Sequence, residues 1–301
     1  MPQTALILGA NGRFGRNAAQ AFSNAGWVVR RFDRRNEDLH TAARGADVVV
    51  NAWNPPYPDW AKQVPELHRR VIEVSSEYDL TVIVPGNVYV FGPDTPDPWS
   101  TDTPHLAQNP LGRIRIEMEE AYRASSVRTI VLRAGDFIDT EASGNWFDQI
   151  LIKHLQRGRF VYPGNPDIPH AWAYLPDLTR AAVALADMRY ELPRFSDIPF
   201  AGYTLTGNEM VQALSQLVGQ EVVLRQMAWW PLNLARPFWR LAPHLFEMKY
   251  LWNTPHRLDG QFFDQLIPEF AQTDLIEALK TAIPDRSADA HQEQQGAALQ
   301  S

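Results

Sequence analysis

Residues 4–15 read Thr4-Ala-Leu-Ile-Leu-Gly-Ala-Asn-Gly-Arg-Phe-Gly15, an apolar run that breaks into three glycines three residues apart. Four apolar residues in a row, Ala5 to Leu8, with no polar alternation predict a strand buried on both faces. The glycines then turn the chain. Gly9 permits a tight turn, Gly12 lets the backbone approach a pyrophosphate, and Gly15 lets the next helix pack closely on the strand. The free N–H groups and the dipole at that helix's start favour a di-anion. Phe14, Ala18, Phe22 and Ala25 share one face at helical spacing, which predicts a helix over Arg13–Ala25.

A glycine triplet alone is a weak signal, so its surroundings matter. A second strand, Trp27–Phe32, follows Gly26, and Asp33 stands 18 residues beyond Gly15, where an acid meets the ribose hydroxyls of a dinucleotide. Arg30 and Arg31 precede Asp33, and Arg34 and Arg35 follow it. Asp33 argues for NAD, whereas an arginine directly after the strand grips a 2′-phosphate, so NADP is slightly favoured over NAD; the plainer reading of these arginines is a solvated turn. Gly9, Asn11, Gly12, Arg13, Phe14, Gly15, Asp33 and Arg34 are the first cofactor-binding candidates.

The alternation continues. A short helix over Leu39–Ala46 leads to an apolar strand, Asp47–Trp53, whose end (Ala52, Trp53) belongs beside the cofactor. The loop Asn54–Trp60 is stiffened by three prolines and carries Tyr57 and Trp60. It reads as the wall of a pocket at the carboxyl ends of the strands, or as a surface turn with packed aromatics. Helices over Val64–Tyr78 and Leu111–Ser125 alternate with strands at Thr81 onward and Val127–Arg133. The expected fold class is α/β: a Rossmann-like, doubly wound parallel sheet with a smaller, mainly helical C-terminal substrate lobe. Residues 1–165 are assigned to the dinucleotide-binding domain, with 170–190 and 203–206 also joining its sheet; 191–284 form the lobe and 285–301 a mobile tail.

Beyond Gly135 the pattern loosens. A helix is expected from Gly144-Asn145 through His154, a strand at Phe160–Gly164, and a short strand at Trp172–Asp177 whose acid caps the following helix. Thr206-Gly-Asn-Glu209 is a capping box. Met227–Trp252 is densely aromatic and reads as a helical lobe on the sheet, with a homodimer face, a lid over substrate, or a membrane-surface helix as the alternatives. Two short amphipathic helices are expected within Asp259–Ala282.

The 301 residues, 45% of them hydrophobic, can bury a large core. A net charge of -7 argues against nucleic acid as a partner, and the lack of cysteine excludes disulfides and thiolate metal sites. His105, His154 and His256 have no partner spacing, so no metal site is read. No run approaches the roughly 18 apolar residues of a membrane span, and the first strand begins too early for a secretory signal; a cytoplasmic location is expected.

Taken together, Gly9–Gly15, Asn87-Val-Tyr-Val-Phe-Gly92, Leu132-Arg-Ala-Gly-Asp-Phe137 and Trp172-Ala-Tyr-Leu-Pro-Asp177 resemble the extended or atypical short-chain dehydrogenase/reductase superfamily, in its NAD-dependent epimerase/dehydratase branch, over about residues 4–282. The resemblance implies a tyrosine that moves a proton at the substrate oxygen, a lysine four residues later that lowers its pKa and holds the nicotinamide ribose, and a Ser or Thr after the central strand. All three positions differ here. Matching the motifs puts Asn87 at the hydroxyl position, Leu111 at the tyrosine and Arg115 at the lysine. Leu111 moves no proton. Asn87 retains hydrogen-bonding capacity, and Arg115 can hold ribose hydroxyls as a fixed cation but cannot act as a base.

An active site therefore needs another proton donor. Tyr89 is the first choice, two residues after Asn87 and on the same face if the strand continues, with a core aromatic as its alternative. Asp136 and His170 follow. His170 stands seven residues before Asp177, where relatives acting on nucleotide sugars carry an arginine, which weakens the case for such a substrate. The catalytic candidates are Asn87, Tyr89 and Arg115; the substrate-pocket candidates are Tyr57, Trp60, Asp136, His170 and Trp172. Two functions compete: an NAD(P)-dependent oxidoreductase or epimerase-like enzyme on a small, largely apolar carbonyl or hydroxyl compound, and a non-catalytic NAD(P)-binding sensor or scaffold.

Overall fold

The structure, a computed structural model, describes residues 2–283. The expected tail at 285–301 lies outside the described residues. Strands β1 (Thr4–Leu8), β2 (Val28–Arg31), β3 (Val48–Asn51), β4 (Thr81–Gly86) and β5 (Arg128–Arg133) run parallel in the order β2-β1-β3-β4-β5. The chain moves outward from β1 to β2, then crosses back to place β3 on the other side of β1. That reversal opens a crevice at the carboxyl ends of β1 and β3, the place where parallel sheets of this kind bind ligands.

Helices α1 (Arg13–Asn24), α2 (Leu39–Ala43), α3 (Trp60–Glu77) and α4 (Pro110–Arg123) connect these strands. Their apolar stripes dictate the layers. Phe14, Ala18 and Phe22 of α1 join Ile7, Val50 and Ile83 on one face of the sheet; Val64, Val71 and Val74 of α3 and Met118 and Tyr122 of α4 join Leu6, Val49 and Val82 on the other. Every residue of β1 and β3 is buried, as continuous apolar runs require of a sheet covered twice.

The second half departs from the expected order in instructive ways. Short strands β6 (Asp136–Ile138), β8 (His170–Tyr174) and β10 (Tyr203–Leu205) make a separate three-stranded sheet, and the sixth strand of the main sheet is β9 (Phe195–Pro199), parallel to β5. Residues 170–174 and 203–205 are thus not strands of the main sheet, as the sequence had led us to expect. No regular helix follows Gly144: a single wide turn at Phe147–Leu151 and a 3-10 turn at Leu155–Arg157 take its place, closed by Gly158 in the left-handed region (φ 65). Asp177 does not cap α5 (Leu175–Asp187). It lies inside the first turn and accepts from the Thr273 N–H and hydroxyl at 2.7 Å each, tying the lobe to the helix.

The capping box forms as expected at α6 (Gly207–Val218): Thr206 accepts from the Glu209 N–H, and the Glu209 carboxylate accepts from that of Thr206. Strands β7 (Arg159–Tyr162) and β11 (Val223–Gln226) pair in parallel. The aromatic segment folds into α7 (Trp230–Ala235), α8 (Ala242–Glu247) and a 3-10 stretch to Asn253, and the chain then forms α9 (Gln261–Leu266) and α10 (Leu275–Ala282). A third core, around Phe147, Phe160, Trp172, Leu214 and Trp252, holds this lobe together.

Candidate dinucleotide site and tyrosine pair

The glycine loop closes on itself and on the neighbouring strand. Gly9 has a left-handed φ of +70°, and a Cβ there would stand 2.7 Å from the carbonyl oxygen of Ala52, at the exit of β3; a Cβ on Gly15 would stand 2.2 Å from the Gly9 carbonyl oxygen. Only glycine permits either approach. Helix α1 starts after Gly12 with no side-chain cap, so the N–H groups of its first turn stay available to an anion. A dinucleotide diphosphate fits this cradle. Asn11 is exposed, whereas the Phe14 ring is buried in the core, leaving that residue only its backbone to offer. Arg13 donates to the Gly144 carbonyl at 3.1 Å, joining the loop to the lobe.

Beyond the end of β2 lies a cleft of about 620 Å³ lined by Arg34, Arg35, Asn36, Trp53 and Arg70, among others. The Arg34 guanidinium lies over the Trp53 ring, 5.4 Å from its centre. Asp33 is occupied locally: its carboxylate accepts from the Arg35 N–H and guanidinium and from Asn36 Nδ2, and the Arg35 bonds lower its pKa.

Strand β4 ends at Gly86, and Val88–Val90 form a 3-10 turn. Tyr89 therefore stands on a turn, and strand alternation from Asn87 does not set its direction. The Asn87 Oδ1 accepts the Tyr89 N–H at 3.0 Å, so Asn87 holds that turn in place. On a second 3-10 turn, Tyr57–Asp59, the Tyr57 hydroxyl meets the Tyr89 hydroxyl in a short hydrogen bond. Trp60 packs behind both rings (5.1 Å to Tyr57, 6.1 Å to Tyr89), itself buried and donating its indole N–H to the Pro55 carbonyl at 2.8 Å.

Burial pushes both phenols above their ordinary value near 10, and the negative field of Asp136 adds to the effect. For Tyr89 burial is the main cause, and the neighbouring Tyr57 adds to it. The Tyr57 shift is opposed by the hydrogen bond from Tyr89 and by Arg13 and Arg115. The two hydroxyls thus share one hydrogen bond, either able to donate it, and burial keeps both phenols protonated.

Arg115 is buried, donates to the Pro85 carbonyl at 2.8 Å, and lies 5.8 Å from the centre of the Trp60 ring; its Nε finds no partner. Burial lowers its pKa below the ordinary guanidinium value, yet it remains a cation. Leu111 faces the core and its N–H is capped at 2.5 Å by Glu247, at the end of α8.

Sequence reasoning missed the polar groups that hold these pieces. Arg133 is fully buried and donates to Glu119 (2.7 Å), to Asp197 (2.5 Å) and to the Asn87 carbonyl (2.6 Å), clamping α4, β9 and the exit of β4. Burial works against these charges, but the mutual attraction holds Asp197 below and Arg133 above their ordinary ranges. His105, Glu119 and Asp197 could bring ligand atoms within 4.8 Å of one another, but the Arg133 guanidinium already engages both carboxylates. On the β3 side, Asn51, His68 and Tyr122 form a buried hydrogen-bonded trio at 3.0–3.2 Å.

On the lobe side, Asp136 pairs with His170 at 2.8 Å. The His170 ring is buried, stacked on Trp252 at 4.4 Å and set edge-on to His256 at 4.4 Å. Trp172, expected in the pocket, is 1% exposed and packs in the lobe core. Of the pocket candidates, Tyr57 and Asp136 retain exposure; Trp60, His170 and Trp172 form the layer behind them.

No protein-family model and no curated protein matches the chain in sequence. Solved structures match it over nearly its whole length. A UDP-glucuronic acid 4-epimerase from Bacillus cereus, in complex with UDP-glucuronic acid and NAD, superposes with a TM-score of 0.73 at 14% identity, covering 93% of this chain and 98% of that one. The chain shares that protein's fold. An L-threonine dehydrogenase from Phytophthora infestans matches with a TM-score of 0.72 at 18% identity (95% and 100% covered), and MoeE5 in complex with UDP-glucose and NAD with 0.71 at 17% (93% and 97%). At these identities the likeness is one of architecture.

Proposed function

We propose that this chain binds NADP(H) and is a reductase-type enzyme for a small, largely apolar carbonyl or hydroxyl compound, with Tyr57 as the proton donor. The observation that carries the reading is the hydrogen-bonded hydroxyl pair of Tyr57 and Tyr89, carried on the turns that follow β3 and β4 at the carboxyl end of the sheet. The loop N–H groups would hold the diphosphate, Trp53 and Arg34 would flank the adenine, and Arg34, Arg35 and Arg70 would answer a 2′-phosphate. A nicotinamide bound there supplies hydride chemistry.

The protein's own part is proton management and positioning. Phenols raised by burial stay protonated at neutral pH, which suits a general acid delivering a proton to a carbonyl oxygen as it becomes an alcohol. Tyr89 can then donate to Tyr57 and so stabilise the phenolate that remains. Asn87, clamped by Arg133, sets the position of Tyr89. The Asp136 carboxylate, partly exposed beside the pair, opposes an anionic substrate such as a sugar nucleotide. The competing reading, a dinucleotide-binding sensor without turnover, draws on Leu111 and Arg115 in the two positions where the resemblance expects tyrosine and lysine.

The experiment is calorimetry with NADPH, NADP+, NADH and NAD+, followed by cofactor oxidation against a panel of small ketones and aldehydes and of UDP-hexoses. Binding of NADPH with turnover of a neutral carbonyl is the expected result. Binding without turnover of any compound would favour the sensor, and turnover of a UDP-hexose would overturn the substrate class. No heat with any dinucleotide would remove the whole reading.

A further inference from the structure

The segment after β11 turns its apolar side chains outward. Trp230 and Leu234, four residues apart, share one face of α7, and Phe238 follows in the turn beyond it; they are 68%, 68% and 91% exposed, and Trp239 beside them is 42% exposed. Trp229, by contrast, is anchored inward, donating its indole N–H to the Pro163 carbonyl at 2.7 Å. The outward stripe is therefore not the inner face of this helix. A contiguous exposed patch of this kind marks a surface that another phase or molecule covers.

The charges say which. From Val222 to Phe246 there is no Asp or Glu, although the chain carries a net charge of -7; the segment's formal charges are Arg225, Arg236 and Arg240, all exposed. Tryptophan and phenylalanine interleaved with arginine are the composition of helices that lie in a lipid interface, where the rings reach the acyl boundary and the guanidinium groups stay with the headgroups. A two-fold contact between copies of this chain would bring Arg236 and Arg240 towards their own counterparts, which like-charge repulsion opposes. We propose that the face formed by Trp230, Leu234, Phe238 and Trp239 docks on an anionic lipid bilayer as a peripheral, non-spanning contact. The proposal is independent of the catalytic reading. Arg240 also pairs with Asp59 at 3.1 Å, two residues from Tyr57, so the docked face borders the turn that carries Tyr57.

The test is flotation of the full chain with vesicles of phosphatidylcholine alone or with about one-third phosphatidylglycerol, alongside sedimentation velocity. The expected result is binding to the anionic vesicles only, weakened by salt, with a blue shift of tryptophan emission. Arg236→Glu should weaken it by at least about fivefold, and the double change Trp230→Ser, Phe238→Ser by more than about tenfold, both with an unchanged thermal midpoint. Absence of vesicle binding by the unaltered chain, or full binding by the double variant, would overturn the proposal. So would a concentration-dependent dimer that the double variant dissolves, which would assign the face to a second copy.

Discussion

The hydroxyl of Tyr57 is hydrogen-bonded to that of Tyr89, 32 residues later in the chain, and the two 3-10 turns that carry them face each other across the top of the sheet. Phenylalanine at each position separates their roles. Tyr57→Phe should lower kcat by about 10²- to 10⁴-fold, the range for loss of a general acid, with the dissociation constant for NADPH little changed. Tyr89→Phe should cost less, about tenfold, and should move the alkaline limb of the pH–rate profile upward, because the hydrogen bond that holds the Tyr57 pKa down is gone. Reduction should stay flat through neutral pH and fall only above about 10. Full activity in Tyr57→Phe would remove the pair from the chemistry.

The arginines after β2 set cofactor preference. Arg34→Ala should weaken NADPH binding by about tenfold or more and NADH binding by less, since contact with the adenine is lost for both cofactors but the ion pair with a 2′-phosphate for NADPH alone. Arg35→Ala should do more, because Arg35 occupies the Asp33 carboxylate: freed, Asp33 can accept from ribose hydroxyls, and NADH affinity should rise. Calorimetric titration of both variants with both cofactors checks this. Equal losses for the two cofactors would mean that no 2′-phosphate is recognised there.

Two buried imidazoles make stability depend on acid. Burial pushes His68 and His256 down to about 3, from an ordinary 6.5. The folded state favours their neutral forms, so the stability they contribute is complete above pH 6.5 and is lost as pH falls from 6.5 towards 3, by up to about 1.4 kcal/mol per pH unit for each. His68→Gln keeps a hydrogen-bonding group near Asn51 and Tyr122 but cannot take up a proton. Its unfolding free energy should therefore fall less steeply between pH 6.5 and 4 than that of the unaltered chain. Parallel curves by urea titration would show that His68 does not carry the effect.

Arg133 is the keystone of the layer beneath the crevice. Arg133→Gln would leave Glu119 and Asp197 buried without their cation, at a cost of about 3–5 kcal/mol measured by denaturant unfolding. Arg133→Lys should recover only part of it, since one ammonium cannot present the planar fork that meets both carboxylates and the Asn87 carbonyl together. A lysine variant as stable as the unaltered chain would show that charge alone suffices.

What could be read along the chain was whatever local periodicity and backbone demand encode. The apolar runs of β1 and β3, the stripes of α1, α3 and α4, and the glycines whose Cβ atoms would strike Ala52 and Gly9 define a doubly wound sheet with a phosphate loop at its turn, and the structure has that sheet. Short irregular pieces resisted. The stretch after Gly144 has an amphipathic stripe yet forms only single turns, and Asp177, set like a cap, is held instead by Thr273 from the far end of the chain.

The groups around the crevice were settled by contact across long separations, which no periodicity records. Tyr57 looked like one aromatic in a proline-rich loop until Tyr89 stood against it; His256 had no neighbour of suitable spacing, yet its ring abuts that of His170, and Arg133 gathers partners from positions 87, 119 and 197. Local sequence carries the backbone's own preferences, and so it determined the sheet, its helices and the glycine loop. Hydrogen bonds, charge pairing and pKa shifts depend on which side chains are brought together and how far water is excluded from them, and only the tertiary structure decides that.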